Sequence, residues 1–154
     1  MDVLLVAACL LGRPCRYDGA AKTHAETCAL AAGHEARGGK VVAVCPEELG
    51  GLGTPRPAAE LRSGDGHAVL HGRARVRRVS DGADVTGAFV AGAERARELG
   101  RGASRAVLKA RSPSCGCGST WIDGALGPGD GVLAALLRRD GVAVGTEDDI
   151  LAPA

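Results

Sequence analysis

The sequence predicts an α/β fold with three layers, in which helices cover both faces of a mostly parallel sheet of about four strands, a Rossmann-like arrangement. Two observations carry this prediction. The chain contains short, continuous apolar runs, which are typical of strands covered on both faces. Stretches with the apolar spacing of a helix separate these runs. Strand and helix therefore alternate along the chain, which indicates parallel strands with helices between them.

The four predicted strands are short and largely apolar, and none alternates apolar with polar residues. They cover residues 3–8, 41–44, 106–109 and 142–144. Because no run alternates between apolar and polar residues, each strand is expected to be buried on both sides.

Three segments carry the apolar spacing of an amphipathic helix. In the first, Ala25 begins a series at i, i+3, i+4 and i+7 that stops at Gly33. In the second, over residues 85–96, Asp84 stands where an N-cap is expected and Gly100 lies just past the end. Both segments have the length of an ordinary helix between strands.

The third helical segment covers residues 131–139, with Asp130 just before its start and Gly141 just after its end.

Before the second helix, a stretch rich in Gly, Pro and Ser interrupts the alternation. There the sequence predicts a small hairpin insertion around residues 66–80 that turns at Gly72. The arginines of its second half are expected to form a solvated strand face.

Length and charge restrict the functions open to this chain. Its 154 residues are near the commonest size of one domain, so residues 1–154 are expected to form a single domain. The 19 basic and 18 acidic residues nearly cancel, which argues against a charge-driven partner such as nucleic acid or a membrane surface. No apolar stretch approaches a membrane span. We expect a cytoplasmic protein with reduced thiols, as a monomer or a small homo-oligomer.

Three of the six cysteines follow predicted strands. Cys9 comes directly after the first strand, Cys45 directly after the second, and Cys115 six residues beyond the third. The carboxyl ends of parallel strands meet at one edge of the sheet. With neighbouring strands about 4.8 Å apart, three such loops span roughly 10 Å. One metal cluster with its thiolates can bridge that distance.

The cysteine spacing favours an iron–sulfur cluster over other thiol chemistry. Structural zinc usually shows paired C-x2-4-C knuckles, and a thioredoxin-like site needs C-x-x-C; the sequence contains neither. The four histidines fall on a helix, past its end or on the predicted hairpin, so a Cys-His-Asp hydrolase lacks support. Well-separated thiolates fit an iron–sulfur site best. A thiol–disulfide protein that uses Cys115 and Cys117 stays open as a weaker alternative.

Polar residues accompany two of these cysteines. Glu47 lies two residues beyond Cys45, and Ser112 and Ser114 precede Cys115 within a Ser-Pro-Ser-Cys-Gly segment. Cys15 is expected either beside the cluster ligands or packed among apolar groups, and Cys28 is expected in the core.

Ordered motifs along nearly the whole chain resemble the bacterial family long called domain of unknown function 523. The motifs are Cys9-Leu10-Leu11-Gly12 with Cys15-Arg16-Tyr17-Asp18-Gly19, Cys45-Pro46-Glu47, Gly50-Gly51-Leu52, Pro55-Arg56-Pro57, Glu60, Asp84-Val85-Thr86 with Phe89 and Gly92-Ala93, Leu108-Lys109, Ser112-Pro113-Ser114-Cys115-Gly116 and Asp123-Gly124. Some members of this family are thiouracil desulfidases. The chain departs from the pattern at Ala7, Ala58 and the additional Cys117.

The resemblance implies a [4Fe-4S] cluster on Cys9, Cys45 and Cys115, with one iron left open for the substrate sulfur. The implied activity is the non-redox removal of sulfur from thiolated pyrimidines, with 2-thiouracil giving uracil and sulfide. A soft iron suits a thiocarbonyl sulfur better than a carbonyl oxygen. As a Lewis acid it would polarise the C=S bond so that water adds at carbon.

In this scheme Glu47 is the general base or proton shuttle for the attacking water. Ser112 and Ser114 orient the substrate or relay a proton. The expected partner is a small thiolated nucleobase. The alternative is a non-enzymatic iron–sulfur sensor or sulfur carrier, which would bind iron and leave thiolated bases unchanged.

Overall fold

Strands in two sheets form the framework of the protein in the computed structural model, which describes residues 2–150. Met1 and residues 151–154 of the predicted domain lie outside the described residues. The strands are β1 (Val3–Ala7), β2 (Lys40–Val44), β3 (Ala59–Arg62), β4 (Arg75–Arg78), β5 (Ala103–Leu108), β6 (Ser119–Ile122), β7 (Ala125–Pro128) and β8 (Ala143–Thr146). The first sheet has the order β2-β1-β5-β8 and the second the order β4-β3-β6-β7.

All neighbouring strands of the first sheet are parallel, and they are the four strands that the apolar runs predict. Leu5 in the centre of β1 lies opposite Val42 on one side and Ala106 on the other. Strand ends differ from the prediction by up to three residues, because pairing with β1 recruits polar residues such as Ser104 and Arg105 into β5.

Helices cover both faces of the first sheet, so the predicted three-layer α/β class is confirmed. The helices are α1 (Ala25–Ala36), α2 (Pro46–Leu49), α3 (Gly66–Leu70), α4 (Thr86–Leu99) and α5 (Val132–Arg139), with short 3-10 helices at Ala8–Leu11 and Glu147–Asp149. On one face Leu4 and Val6 pack with Leu30 of α1. On the other, Leu5 shares a buried cluster with Phe89 of α4 and Leu133 of α5. No helix within residues 2–150 is both long and apolar enough to cross a membrane.

The helix boundaries differ from the predicted ones by one to a few residues, and the N-caps are Val85 for α4 and Gly131 for α5 rather than Asp84 and Asp130. Helix α1 runs through Gly33 to Ala36, and the left-handed glycine comes later, at Gly38 (φ 85°). Helix α4 begins at Thr86, one residue later than predicted, and Asp84 Oδ1 accepts a hydrogen bond from the Thr86 N–H (2.9 Å). A left-handed Gly141 ends α5 as predicted.

The predicted hairpin around residues 66–80 is wrong in its first half. Residues Gly66–Leu70 form helix α3, whose N-terminus is capped by Asp65 through a hydrogen bond from the Ala68 N–H (3.2 Å). Strand β4 pairs antiparallel with β3 instead. Strand β3 has the sequence Ala-Glu-Leu-Arg, which contains neither a β-branched nor an aromatic residue, so local propensity did not indicate it.

Two glycines let α2 and α4 approach until their backbones touch. A Cβ at Gly92 of α4 would overlap the Pro46 carbonyl oxygen, and a Cβ at Gly50, just after α2, would overlap the Ala88 carbonyl oxygen. These contacts are with backbone atoms, which cannot move aside as a side chain does. The position of α2 against α4 therefore depends on the absence of a side chain at both glycines.

We expect Gly92→Ala to lower the free energy of unfolding by about 1–3 kcal/mol, the usual effect of overpacking. Helix propensity alone would raise stability by about 1 kcal/mol. Urea denaturation measures the difference. Gly87→Ala is the matched control in the same helix, since a Cβ there meets nothing within 4 Å, and it should be neutral or stabilising. Equal stability of the two variants would contradict the close contact.

Candidate functional site

A cavity of about 680 Å³ lies at the carboxyl ends of β1, β2 and β5. The structure brings Cys9, Cys45 and Cys115 together in its lining. Each thiol comes from the segment that follows a different parallel strand. The shared strand direction is what gathers residues that are far apart in sequence.

Local structure fixes each of these cysteines. Cys9 lies in the 3-10 helix after β1, which ends at a left-handed Gly12 (φ 103°). Cys45 is the N-cap residue of α2, with Pro46 in the first helical position, where its missing N–H costs nothing. Cys115 lies in a turn closed by the Gly116 N–H, which donates to the Ser112 carbonyl oxygen (2.8 Å).

A fourth thiol, Cys15, lines the same cavity. Its Sγ, the Cys45 Sγ and a carboxylate oxygen of Glu48 lie within 4.8 Å of one another. The Cys45 thiol also points to the Cys15 carbonyl oxygen (3.5 Å). Cys15 therefore lies beside the candidate ligands and is also buried in the apolar cluster with Leu10 and Val107, so it meets both expectations.

The remaining cysteines lie elsewhere. Cys28 is half-buried rather than in the core, and its thiol donates to the Leu10 carbonyl oxygen (3.6 Å). The Cys117 sulfur accepts a hydrogen bond from Arg138 Nη2 (2.6 Å). All six cysteines are free thiols.

Three thiols of the cavity, those of Cys15, Cys45 and Cys115, favour their protonated form. A hydrogen bond with Cys15 and burial raise the pKa of Cys45 far above its ordinary value. Burial raises the pKa of Cys115 to about 12. For Cys15 a hydrogen bond with Cys45 lowers the pKa, but a hydrogen bond with Cys9 and burial outweigh it, and the pKa rises to about 11. Metal binding at these thiols must therefore release protons.

Glu47 is held from both sides at the cavity wall. Its Oε1 accepts a hydrogen bond from Arg56 Nε (2.9 Å), and its Oε2 accepts one from Ser114 Oγ (2.9 Å). The carboxylate side chain is only 15% exposed. Glu47 follows Cys45 by two residues, in the first turn of the short helix α2, and both side chains line the cavity.

Ser112 organises the turn that leads to Cys115. Its hydroxyl oxygen accepts hydrogen bonds from the Ser114 and Cys115 N–H groups (3.2 Å each) and lies 3.0 Å from Ser114 Oγ. With Ser114 donating to Glu47, the proton between the two hydroxyls comes from Ser112. Ser112, Ser114 and Glu47 then form one directed hydrogen-bond chain.

Two cationic side chains line the cavity that the sequence analysis did not include among the site residues. Arg56 contacts Glu47, and Lys109 Nζ lies 2.7 Å from Glu147 Oε2. The other oxygen of Glu147 accepts the Ala110 N–H (2.6 Å), so this buried carboxylate anchors the segment after β5. One signal for Arg56 was available: an arginine between Pro55 and Pro57 lies on a backbone of restricted freedom.

The second sheet contributes another part of the wall. Trp121 of β6 and Val79, which follows β4, line the cavity and are about half exposed. Glu60 of β3 also lines it and is buried. The thiols therefore come from the first sheet and its loops, and the facing wall comes partly from the second.

Comparison with known proteins identifies the family. The sequence profile described as 2-thiouracil desulfurase matches residues 4–149. The chain belongs to the 2-thiouracil desulfurase family. The family resemblance inferred from the motifs is confirmed.

Two similar proteins cover nearly the whole chain. The uncharacterised protein YbbK of Bacillus subtilis (strain 168) is 39% identical over 155 residues, which cover 96% of this chain and 97% of YbbK. A solved structure, the [4Fe-4S]-dependent thiouracil desulfidase TudS (DUF523Vcz), is 41% identical. It superposes with a TM-score of 0.80 over 97% of this chain and 93% of TudS.

We expect Glu147→Ala to lower the free energy of unfolding by about 3 kcal/mol, because it leaves the largely buried Lys109 ammonium without its carboxylate partner. The Ala110 N–H also loses its acceptor. Asp148→Ala is the matched control: it removes the neighbouring ion pair with Arg111, which is about half exposed on both sides, and should cost under about 1 kcal/mol. Chemical denaturation compares them, and equal losses would contradict the anchoring role of Glu147.

Proposed function

We propose that this protein is a non-redox desulfidase that converts 2-thiouracil to uracil and sulfide at a [4Fe-4S] cluster held by Cys9, Cys45 and Cys115. The observation that carries the proposal is the convergence of these thiols with Glu47 in one cavity. The similarity to TudS, described as a [4Fe-4S]-dependent thiouracil desulfidase, supports both the cofactor and the reaction.

The residues present fit an iron–sulfur cluster. The candidate ligands are thiols, which as thiolates are the usual ligands of such clusters. They are buried or half-buried at the wall of a cavity whose volume lies in the range of small-molecule sites. Three thiols for four irons leave one iron without a protein thiolate.

The bound cluster would supply a soft Lewis-acidic iron for the thiocarbonyl sulfur. The reaction itself balances without electron transfer. Water forms a C–O bond at the thiocarbonyl carbon, the C–S bond breaks, and sulfur leaves with the bonding electrons as hydrosulfide. The carbon keeps its oxidation level, so no oxidant or reductant is needed.

Glu47 is proposed as the general base for the attacking water. Arg56 occupies Oε1, so Oε2 is the oxygen that can take up a proton. The hydroxyls of Ser114 and Ser112 extend from that oxygen along the cavity wall and provide a path by which a proton can move. The site therefore combines a proton acceptor with a relay on the side that faces the thiols.

The unit of function is proposed to be the whole of residues 1–154, since both sheets line the cavity. A reducing compartment such as the cytoplasm suits the free thiols of the site. A small thiolated nucleobase is the proposed partner.

Replacement of Cys9, Cys45 or Cys115 by Ser should abolish both the cluster and sulfide release from 2-thiouracil. Anaerobically reconstituted protein is assayed for iron, for the visible absorption of the cluster and for sulfide. Wild type should hold about four irons per chain. Cys28→Ser and Cys117→Ser are matched controls and should keep both properties. Loss of iron in Cys15→Ser equal to that in Cys115→Ser would contradict the three-cysteine assignment.

Glu47→Gln should lower kcat by about 10²–10⁴-fold, the usual contribution of a general base, while iron content stays at the wild-type level. Steady-state sulfide release and iron analysis of the same sample test this. The same variant separates the two functional hypotheses. A sensor or sulfur carrier would bind iron, leave 2-thiouracil unchanged and behave alike with Glu or Gln at this position.

A further inference from the structure

Arg56 is a buried cation at the cavity, with a side chain that is only 5% exposed. Its guanidinium contacts both parts of the proposed site. Nε donates to Glu47 Oε1 (2.9 Å), and Nη2 donates to the Cys15 carbonyl oxygen (2.9 Å) and lies 3.9 Å from Cys45 Sγ. A proton acceptor and a candidate cluster ligand are thus joined through one rigid group.

The remaining nitrogen of Arg56 ties the guanidinium to its own loop. Nη1 donates to the Gly53 carbonyl oxygen (2.9 Å) and to Thr54 Oγ1 (3.0 Å). With all three nitrogens engaged, the side chain is held in one orientation and has no donor directed at a free ligand. Its contacts therefore favour a role through Glu47 and Cys45 over direct binding of substrate.

We propose that Arg56 is a positioning residue that fixes Glu47 relative to the cluster-binding face and places a positive charge beside Cys45. This inference rests on the proposed function. A planar guanidinium can donate to Glu47 and to the Cys15–Cys45 region at the same time. Lysine carries the charge but presents it at one point, so it cannot reproduce both contacts.

The location of Arg56 gives its charge an effect on the cluster that a purely structural arginine would lack. Hydrogen bonds and positive charge near the thiolates stabilise the reduced form of an iron–sulfur cluster. Loss of the charge should therefore shift the reduction potential to lower values. A lysine at this position would keep the charge and lose the planar guanidinium, so it should disturb the position of Glu47 and leave the reduction potential unchanged.

The test compares Arg56→Met and Arg56→Lys with wild type in reconstituted protein. We expect Arg56→Met to lower kcat by about 100-fold, as misplacement of a reacting group does, with KM changed far less. Its cluster potential, measured by spectroscopic titration, should fall. Arg56→Lys should keep a potential near that of wild type and still lose kcat. Arg75→Met, which removes an exposed pair with Asp84, is the control and should change neither value.

The proposal is overturned if Arg56→Met keeps the kcat and the potential of wild type, or if Arg56→Lys restores kcat fully. Should Arg56→Met fail to fold by circular dichroism, Arg56→Lys decides through kcat. Failure of wild type to release sulfide from 2-thiouracil would refute the proposed function instead. The potentials of the three proteins would then still decide whether Arg56 acts on the cluster.

Discussion

The shared direction of three parallel strands is the constraint on which the site depends. Strands β1, β2 and β5 are neighbours and end at the same edge, so the segments after them must meet there. Cys9 and Cys45 follow their strands almost directly, which leaves little freedom in their positions. Cys115 needs a longer turn, and the hydroxyl of Ser112 orders it by accepting two backbone N–H groups. Three parallel strands of one sheet thus produce a cluster of thiols without any local sequence motif that joins them.

Close backbone packing between α2 and α4 helps to fix the position of Glu47, the proposed general base. Helix α2 carries Glu47 two residues after Cys45, and it lies against α4 with glycine at both points of contact. A four-residue helix has little stability of its own, so its position comes from this packing and from the residues that grip Glu47. Arg56 and Ser114 approach the carboxylate from opposite sides and belong to different loops. The geometry of one carboxylate therefore depends on three separate segments of chain.

Much of the fold could be predicted because its signals are local. Strands β1, β2, β5 and β8 contain apolar runs, and a left-handed Gly141 follows the end of α5. Within the second sheet, β4 falls in the second half of the predicted hairpin, but β3 could not be predicted, since it gains its strand conformation from pairing with β4 and not from its own residues. The same difference between local and long-range signals explains which site residues could be predicted. Strand order brings Cys9, Cys45 and Cys115 together, whereas the contacts of Cys15 and Arg56 depend on how a loop returns to the cavity.

The division of the cavity wall between two sheets has an evolutionary consequence. Reactive groups sit on the first sheet and its loops, while Trp121 and Val79 approach from the second. Selection can alter the bulk and polarity of that opposite side without touching a sulfur ligand or its supporting hydrogen bonds. Relatives with one shared chemistry can in this way diverge in the molecules they admit.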